Sequence, residues 1–188
     1  MIVLWSVSAT TAELESFKVK RKKGTIDIRA EITVNAPSPE VYLALLEFDK
    51  FDELSDTFTD SRYIEPAEDG SPRIYTRIDG CILFFCKTIE RYAHLGLYPS
   101  WKVTATAEPE LSDAEMSIES WTLSDNGDTT VIDYEHSLRP GFWVPPLIGT
   151  LVIRRSIKKS ALEAGVRIEE LALANMAAKA DQTSPESL

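Results

Sequence analysis

The stretch Pro140-Gly141-Phe142-Trp143-Val144-Pro145-Pro146-Leu147-Ile148-Gly149 joins a β-patterned segment to a long amphipathic one. Proline fixes φ and has no backbone donor, so Pro145 and Pro146 end the strand before them and set the start of a helix after them. Beyond Pro146, to about Ala178, Ile153, Ile157, Ala161, Ala164, Ile168 and Leu171 recur at steps of three and four, the stripe of one long buried-face helix. Its small members, with Gly165, have two readings: they let helix and sheet pack closely, or they leave a ligand-sized cavity beneath the helix. In the second reading Phe142 and Trp143 are lip residues at the mouth.

Working back from that junction, strand and turn alternate. Residues 129–138, 115–123, 101–108, 86–95, 73–79 and 57–65 read as strands. Asp125-Asn126-Gly127-Asp128 is a hairpin turn, because Asn and Gly tolerate positive φ, and Glu68-Asp69-Gly70-Ser71-Pro72 is another turn. Before them, Ile26, Ile28, Ala30, Ile32 and Val34 alternate with polar residues, the period of a half-buried strand. Ser38 as N-cap with Pro39 at the first helical position predicts a short helix over 39–48, followed by a helical piece or turn over 49–55. Seven strands, six of them consecutive, favour an α+β fold built on an antiparallel meander.

The 188 residues fit one domain, and 44% apolar content supports one core. The expected division is an N-terminal segment 1–23, a ligand-binding domain 24–178 and a disordered polar tail 179–188. A net charge of −10 argues against nucleic acid as a partner, since gripping a phosphate backbone needs clustered positive charge. Lys18, Lys20, Arg21, Lys22 and Lys23 nevertheless form one basic group, and Arg154, Arg155, Lys158 and Lys159 another. These are either solvated faces or contacts for anionic headgroups or a partner. The apolar first nine residues, followed by small ones, look like a secretory signal lacking its basic start; that reading implies a periplasmic or secreted protein, and otherwise a cytoplasmic one.

Strand, two short helices, six-stranded meander and one long helix is an order that resembles the helix-grip fold of the START-like, birch-pollen-allergen-like superfamily (SRPBCC), over about residues 24–178. The local carriers are Val34-Asn35-Ala36-Pro37-Ser38-Pro39-Glu40-Val41-Tyr42, and Trp121 with Asp125-Asn126-Gly127-Asp128-Thr129-Thr130. Within the superfamily the chain looks most similar to the polyketide-cyclase/dehydrase-like and coenzyme-Q-binding-like branch. A narrower similarity to a secreted bacterial group rests on Gly80-Cys81-Ile82-Leu83-Phe84-Phe85-Cys86, Pro109-Glu110-Leu111-Ser112-Asp113 and Phe142-Trp143-Val144-Pro145-Pro146-Leu147-Ile148-Gly149. The resemblance implies a curved sheet wrapped around the long helix, with a cavity between. It does not choose among carriers, receptors and cyclases.

The residue inventory narrows the chemistry. His94 and His136 are the two histidines, in different strands, and no His-x-x-His, Glu-x-x-His or Cys-x-x-Cys spacing occurs, so no metal site is expected. No Gly-x-Ser-x-Gly elbow, phosphate loop or dinucleotide fingerprint occurs either, so no cofactor is expected. Tyr134 and His136 share one strand face, Glu119 and Trp121 share a face of the neighbouring strand, and Arg77 is a further inward candidate. With Phe142 and Trp143 they are the candidate ligand contacts. Polar groups on an apolar wall either orient a ligand or, as His136, Glu119 and Tyr134, perform acid–base chemistry.

Cys81 and Cys86 bracket Ile82, Leu83, Phe84 and Phe85. In one straight strand the cysteines are too far apart to bond, and the apolar four are buried core; as a hairpin tip, the cysteines can form a disulfide and the four become membrane-contact candidates. The expected function is therefore non-enzymatic binding or transport of an apolar small molecule, such as a lipid, isoprenoid or polycyclic compound, with peripheral membrane contact as an option. The alternatives are a polyketide cyclase or dehydratase, and a protein-binding adaptor or toxin-like module.

Overall fold

A computed structural model describes residues 11–51, 58–82, 85–144 and 150–183 of the chain. Eight strands form one antiparallel sheet: β1 (Glu13–Lys22), β2 (Thr25–Val34), β3 (Phe58–Ile64), β4 (Arg73–Ile82), β5 (Phe85–Tyr98), β6 (Lys102–Ala107), β7 (Ala114–Asn126) and β8 (Thr129–Pro140). Their spatial order is β1-β2-β8-β7-β6-β5-β4-β3, so β3 to β8 run as the expected meander, and β2 closes onto β8. Helix α1 (Ser38–Leu45) and a short 3-10 turn (Phe48–Lys50) carry the chain from β2 toward the opposite edge at β3. Helix α2 (Thr150–Thr183) packs on β1, β2 and α1.

Alternation places Ile26, Ile28, Ala30, Ile32 and Val34 of β2 on the inner face with Val103 and Ala105 of β6, Ile74 of β4 and Ala93 and Leu95 of β5. Phe48, Leu45 and Val41 close the core beside them. At the tight crossing, a Cβ on Gly165 of α2 would stand 2.8 Å from Cγ2 of Ile32. That branched side chain has little rotamer freedom with which to move away. Glu169, one turn on, accepts hydrogen bonds from the Asn35 backbone (2.7 Å) and side chain (3.0 Å), fastening the helix to the end of β2.

Three expectations change. The sheet has eight strands rather than seven, because β1 lies within the segment read as preceding the domain; Phe17 and Ala12 are in the core. A bulge between Leu14 and Ser16 shifts the apolar phase and hides the alternation, while Lys23 (φ 49°) and Gly24 (φ 84°) make the two-residue turn to β2. Ser38 is not the N-cap: Pro37 holds that position, and the Ser38 hydroxyl donates to the Ser100 carbonyl at 3.2 Å. Residues 179–183 of the expected tail continue α2, with Lys179 paired to Glu40 of α1 at 2.6 Å.

The β4–β5 register pairs Cys81 with Cys86 and Ile82 with Phe85, and the two cysteines form a disulfide. Of the two readings for this segment, the hairpin holds. The side chains of Ile82 and Phe85 and the whole of Leu83 and Phe84 lie outside the described residues, as does the Ile153 side chain of the helical stripe.

Gly165→Ala tests the tight crossing. The extra methyl gains about 1 kcal/mol of helix propensity, but overpacking against Ile32 costs about 1–3 kcal/mol. A net loss is expected, with a melting temperature lower by about 2–4 °C per kcal/mol; a raised melting temperature would show that the helix has slack there.

Candidate functional site

Between the sheet and α2 lies a cavity of about 170 Å³. Its walls are Ile32, Ile132 and Trp121 from the sheet, Leu45 and Phe51 from the α1 side, and Ile157, Ala161, Ala164 and Ile168 from α2. The small stripe of α2 thus serves both of its readings at successive turns: Gly165 makes the close approach, and Ala161 and Ala164 face open volume.

One part of this apolar wall is polar. The register sets Glu119 of β7 opposite His136 of β8, and Trp121 opposite Tyr134. Arg91 reaches Glu119 from β5, its Nη1 2.7 Å from Oε2, with both side chains only 9% exposed. The Tyr134 hydroxyl donates to Glu119 Oε1 at 3.1 Å, and His136 Nδ1 lies 3.3 Å from the same oxygen. Arg91 also donates to Thr76 Oγ1 and Ser117 Oγ, each at 3.3 Å, and Ser117 Oγ lies 2.9 Å from His136 Nε2. Arg91, Ser117, His136 and Glu119 therefore close a ring, with Arg91, Glu119 and Tyr134 on the cavity wall.

Burial by itself raises the Glu119 carboxyl, but the charge of Arg91 first, then His136 and the hydrogen bond from the Tyr134 hydroxyl, outweigh it and hold the group below the usual carboxylate range. Burial pushes the Tyr134 phenol well up, and the Glu119 charge adds to it. Burial lowers His136 against the pull of Glu119, with Arg91 helping to lower it. Near neutral pH the site thus holds one carboxylate, one guanidinium, a neutral imidazole and a protonated phenol. The tautomer with hydrogen on Nδ1 fits its surroundings, presenting N–H toward Glu119 and letting Nε2 accept from the Ser117 hydroxyl. Although Oε2 of Glu119 touches Arg91, it receives no aligned hydrogen bond, and it is buried; Ser61 Oγ, beside Thr76 in register, is likewise buried without one. A buried carboxylate oxygen with spare acceptor capacity is costly unless something donates to it.

Of the residues singled out in the sequence, Glu119, Trp121 and Tyr134 line the cavity, and His136 stands beside Glu119 without lining it. Arg77 is a correction. Its neighbour Thr76 points inward, so Arg77 faces outward, 45% exposed, with Glu90 at 3.8 Å. Arg91 occupies the role expected of it, and its parity with the buried Ala93 and Leu95 was the signal that could have found it. Phe142 and Trp143 lie at the end of the sheet, outside the cavity lining; Lys87 of β5 sits 5.0 Å from the Phe142 ring, and Trp143 is 72% exposed. His94, on the outer face, joins Arg73 and Ser71 around Glu108 and takes no part in the site. Among the described residues, no three of His, Cys, Asp and Glu stand together as metal ligands.

The whole architecture has solved counterparts. A START superfamily protein from Mycobacterium smegmatis matches with TM-score 0.62 at 11% identity, over 77% of this chain and 98% of that one. The fold is the START-like helix grip. The Zhui aromatase/cyclase from Streptomyces sp. R1128 matches with TM-score 0.63 at 10% identity, over 81% and 96%. A STAR-related lipid transfer protein from Xanthomonas axonopodis matches with TM-score 0.59 at 13% identity, over 81% and 98%. No family model and no curated protein sequence matches the chain. At such identities the START-like likeness is one of fold.

The lowered His136 fixes the sign of a pH effect. A neutral ring buried in the folded state favours folding fully above its unfolded value of about 6.5, and that contribution is lost as pH falls below it; Glu119 follows only below about pH 4.3. Urea midpoints are therefore expected to drop between about pH 7.5 and about pH 5.5, and His136→Gln to flatten the drop. The same slope in both proteins would contradict this account of His136.

Proposed function

We propose that this protein binds a largely apolar small molecule, a lipid, isoprenoid or polycyclic compound, in the cavity between the sheet and α2, with one polar group of the ligand directed at Arg91 and Glu119. The observation that carries the reading is a single buried ionic patch in an otherwise apolar wall, with Glu119 Oε2 lacking an aligned donor. Burying ligand surface supplies about 25 cal/mol per Å², and the polar patch selects orientation. A hydroxyl or other donor on the ligand would complete the Glu119 shell. The disulfide favours an oxidising compartment, periplasmic or extracellular, over the cytoplasm.

Native mass spectrometry after mild purification is expected to reveal a co-purified hydrophobe. Ala161→Phe and Ala164→Phe, which fill the cavity from α2, should release it while the circular dichroism spectrum is kept. No bound molecule from several expression hosts, or retention of it by the filled variants, would sink the carrier reading.

A second reading is favoured by one observation: His136, Glu119 and Tyr134 meet within 3.3 Å, an ionised carboxylate beside a protonated phenol. Such a group can take and return a proton in a cyclisation or dehydration. Under that reading His136→Ala lowers turnover of an aromatic polyketide precursor by about 100-fold or more while binding persists. Binding with no turnover in the unaltered protein leaves the carrier alone.

A further inference from the structure

Positive charge in this acidic chain is gathered in two spans. Between Glu15 and Asp27 stand Lys18, Lys20, Arg21, Lys22 and Lys23, and between Glu135 and Glu163 stand Arg139, Arg154, Arg155, Lys158 and Lys159, with no Asp or Glu in either. Half of the 20 Lys and Arg thus lie in stretches without Asp or Glu in a protein of net charge −10, although Lys159 pairs with Glu163 just beyond at 3.2 Å and Lys20 stands opposite Asp27. Lys18 and Lys20 are explained by the sheet edge, since β1 is an outer strand and lysine there discourages pairing with another chain. The sheet edge does not account for Arg154, Arg155 and Lys158, which stand exposed on α2.

The fold brings the two spans to one end of the molecule. Lys22 and Thr25 flank the β1–β2 turn, β2 pairs with the end of β8 through Ile26 and Leu138, and Arg139 donates twice to Thr25 Oγ1, at 3.1 and 3.3 Å. From Arg139 the chain passes through Phe142 and Trp143 toward α2, whose early turns carry Arg154, Arg155, Lys158 and Lys159 exposed. Lys87, on the strand leading from the disulfide-closed hairpin, meets the Phe142 ring at the same end. Trp143, at 72%, is the most exposed large hydrophobic side chain among the described residues.

We propose that this end, which carries Trp143, Lys22, Lys23, Arg139, Arg154 and Arg155, docks peripherally on an anionic phospholipid bilayer. The chemistry is complementary on both counts. An amphipathic indole belongs at the headgroup level of a bilayer, and clustered Lys and Arg are drawn to a negative lipid surface from which the rest of an acidic protein is repelled. Among the described residues no helix is long and apolar enough to cross a membrane, so contact through this end is superficial. The early turns of α2 also supply Ile157 to the cavity wall, which sets the docked end beside the cavity. Docking needs no ligand, so its failure and that of the carrier reading are separate results.

The test is co-sedimentation of the full chain with vesicles of phosphatidylcholine alone and of equimolar phosphatidylcholine and phosphatidylglycerol, at low and high salt. Binding to the anionic vesicles is expected to exceed binding to neutral ones by at least about tenfold, and to fall as salt screens the surface. Arg154→Glu with Arg155→Glu should abolish it while the melting temperature is unchanged. Trp143→Ser should weaken it severalfold and remove a blue shift of tryptophan emission seen on vesicle addition. Equal partition to both vesicle types, no partition to either, or full binding by the charge-reversed variant would overturn the proposal. So would capture of an acidic protein through these residues without vesicle binding.

Discussion

One helix has to cover the concave face of an eight-stranded sheet, and everything else in the molecule follows from where the two touch. Contact is made at Gly165, where the α2 backbone comes against Ile32, and is secured by Glu169 on Asn35 and by Lys179 on Glu40. A straight helix cannot stay in contact with a curved sheet along its whole length. Gly165 makes its contact with Ile32 beside the helix face whose Ile157, Ala161, Ala164 and Ile168 look onto the gap that becomes the cavity. Packing and function are here two parts of one geometric compromise: the residue that allows close approach, Gly165, and those that leave space, Ala161 and Ala164, are the same small type within about one turn of helix.

Into that gap the sheet directs a charged pair. Removing one member of a buried ion pair typically costs about 3–5 kcal/mol, whereas replacing the whole by apolar residues is often neutral, so stability alone is a weak reason to keep it. Arg91 and Glu119 are held by Thr76, Ser117, His136 and Tyr134, which spread the desolvation cost over several hydrogen bonds. Glu119 nevertheless retains an oxygen without an aligned donor on the cavity wall. A patch that stays polar, ionised and incompletely satisfied is suited to meeting a polar group on an otherwise apolar guest.

Much of this was legible along the chain. Period-two alternation in β2 and turn chemistry at Asp125-Asn126-Gly127-Asp128 are local signals, and both read correctly because the structure obeys local preferences there; Pro145 and Pro146 lie outside the described residues, and β8 already ends at Pro140. Where a local irregularity intervened, reading failed. The bulge after Leu14 broke the phase of β1 and left it unread within the N-terminal segment 1–23, and Arg77, 45% exposed, was read as inward while Arg91 was passed over, although Arg91 shares parity with the buried Ala93 and Leu95. The hairpin closed by Cys81 and Cys86 was undecided, because five residues of separation suit a strand and a turn equally until a partner strand sets the register.

The sequence by itself determined the elements from β2 to α2 and their order, since these rest on side-chain periodicity and on Gly, Pro and Asn at positions that need special backbone angles; β1, its phase broken by a bulge, was the exception. It also determined that positive charge would lie in two acid-free spans. Only the tertiary structure decided that those spans share one end, that Glu119, Arg91 and His136 from three strands meet, and that the carboxylate remains ionised beside its guanidinium. The reason is physical. Periodicity is a property of neighbours in sequence, whereas the pairing of charges and the volume left beneath a helix depend on strand register and sheet curvature, which arise when distant segments pack.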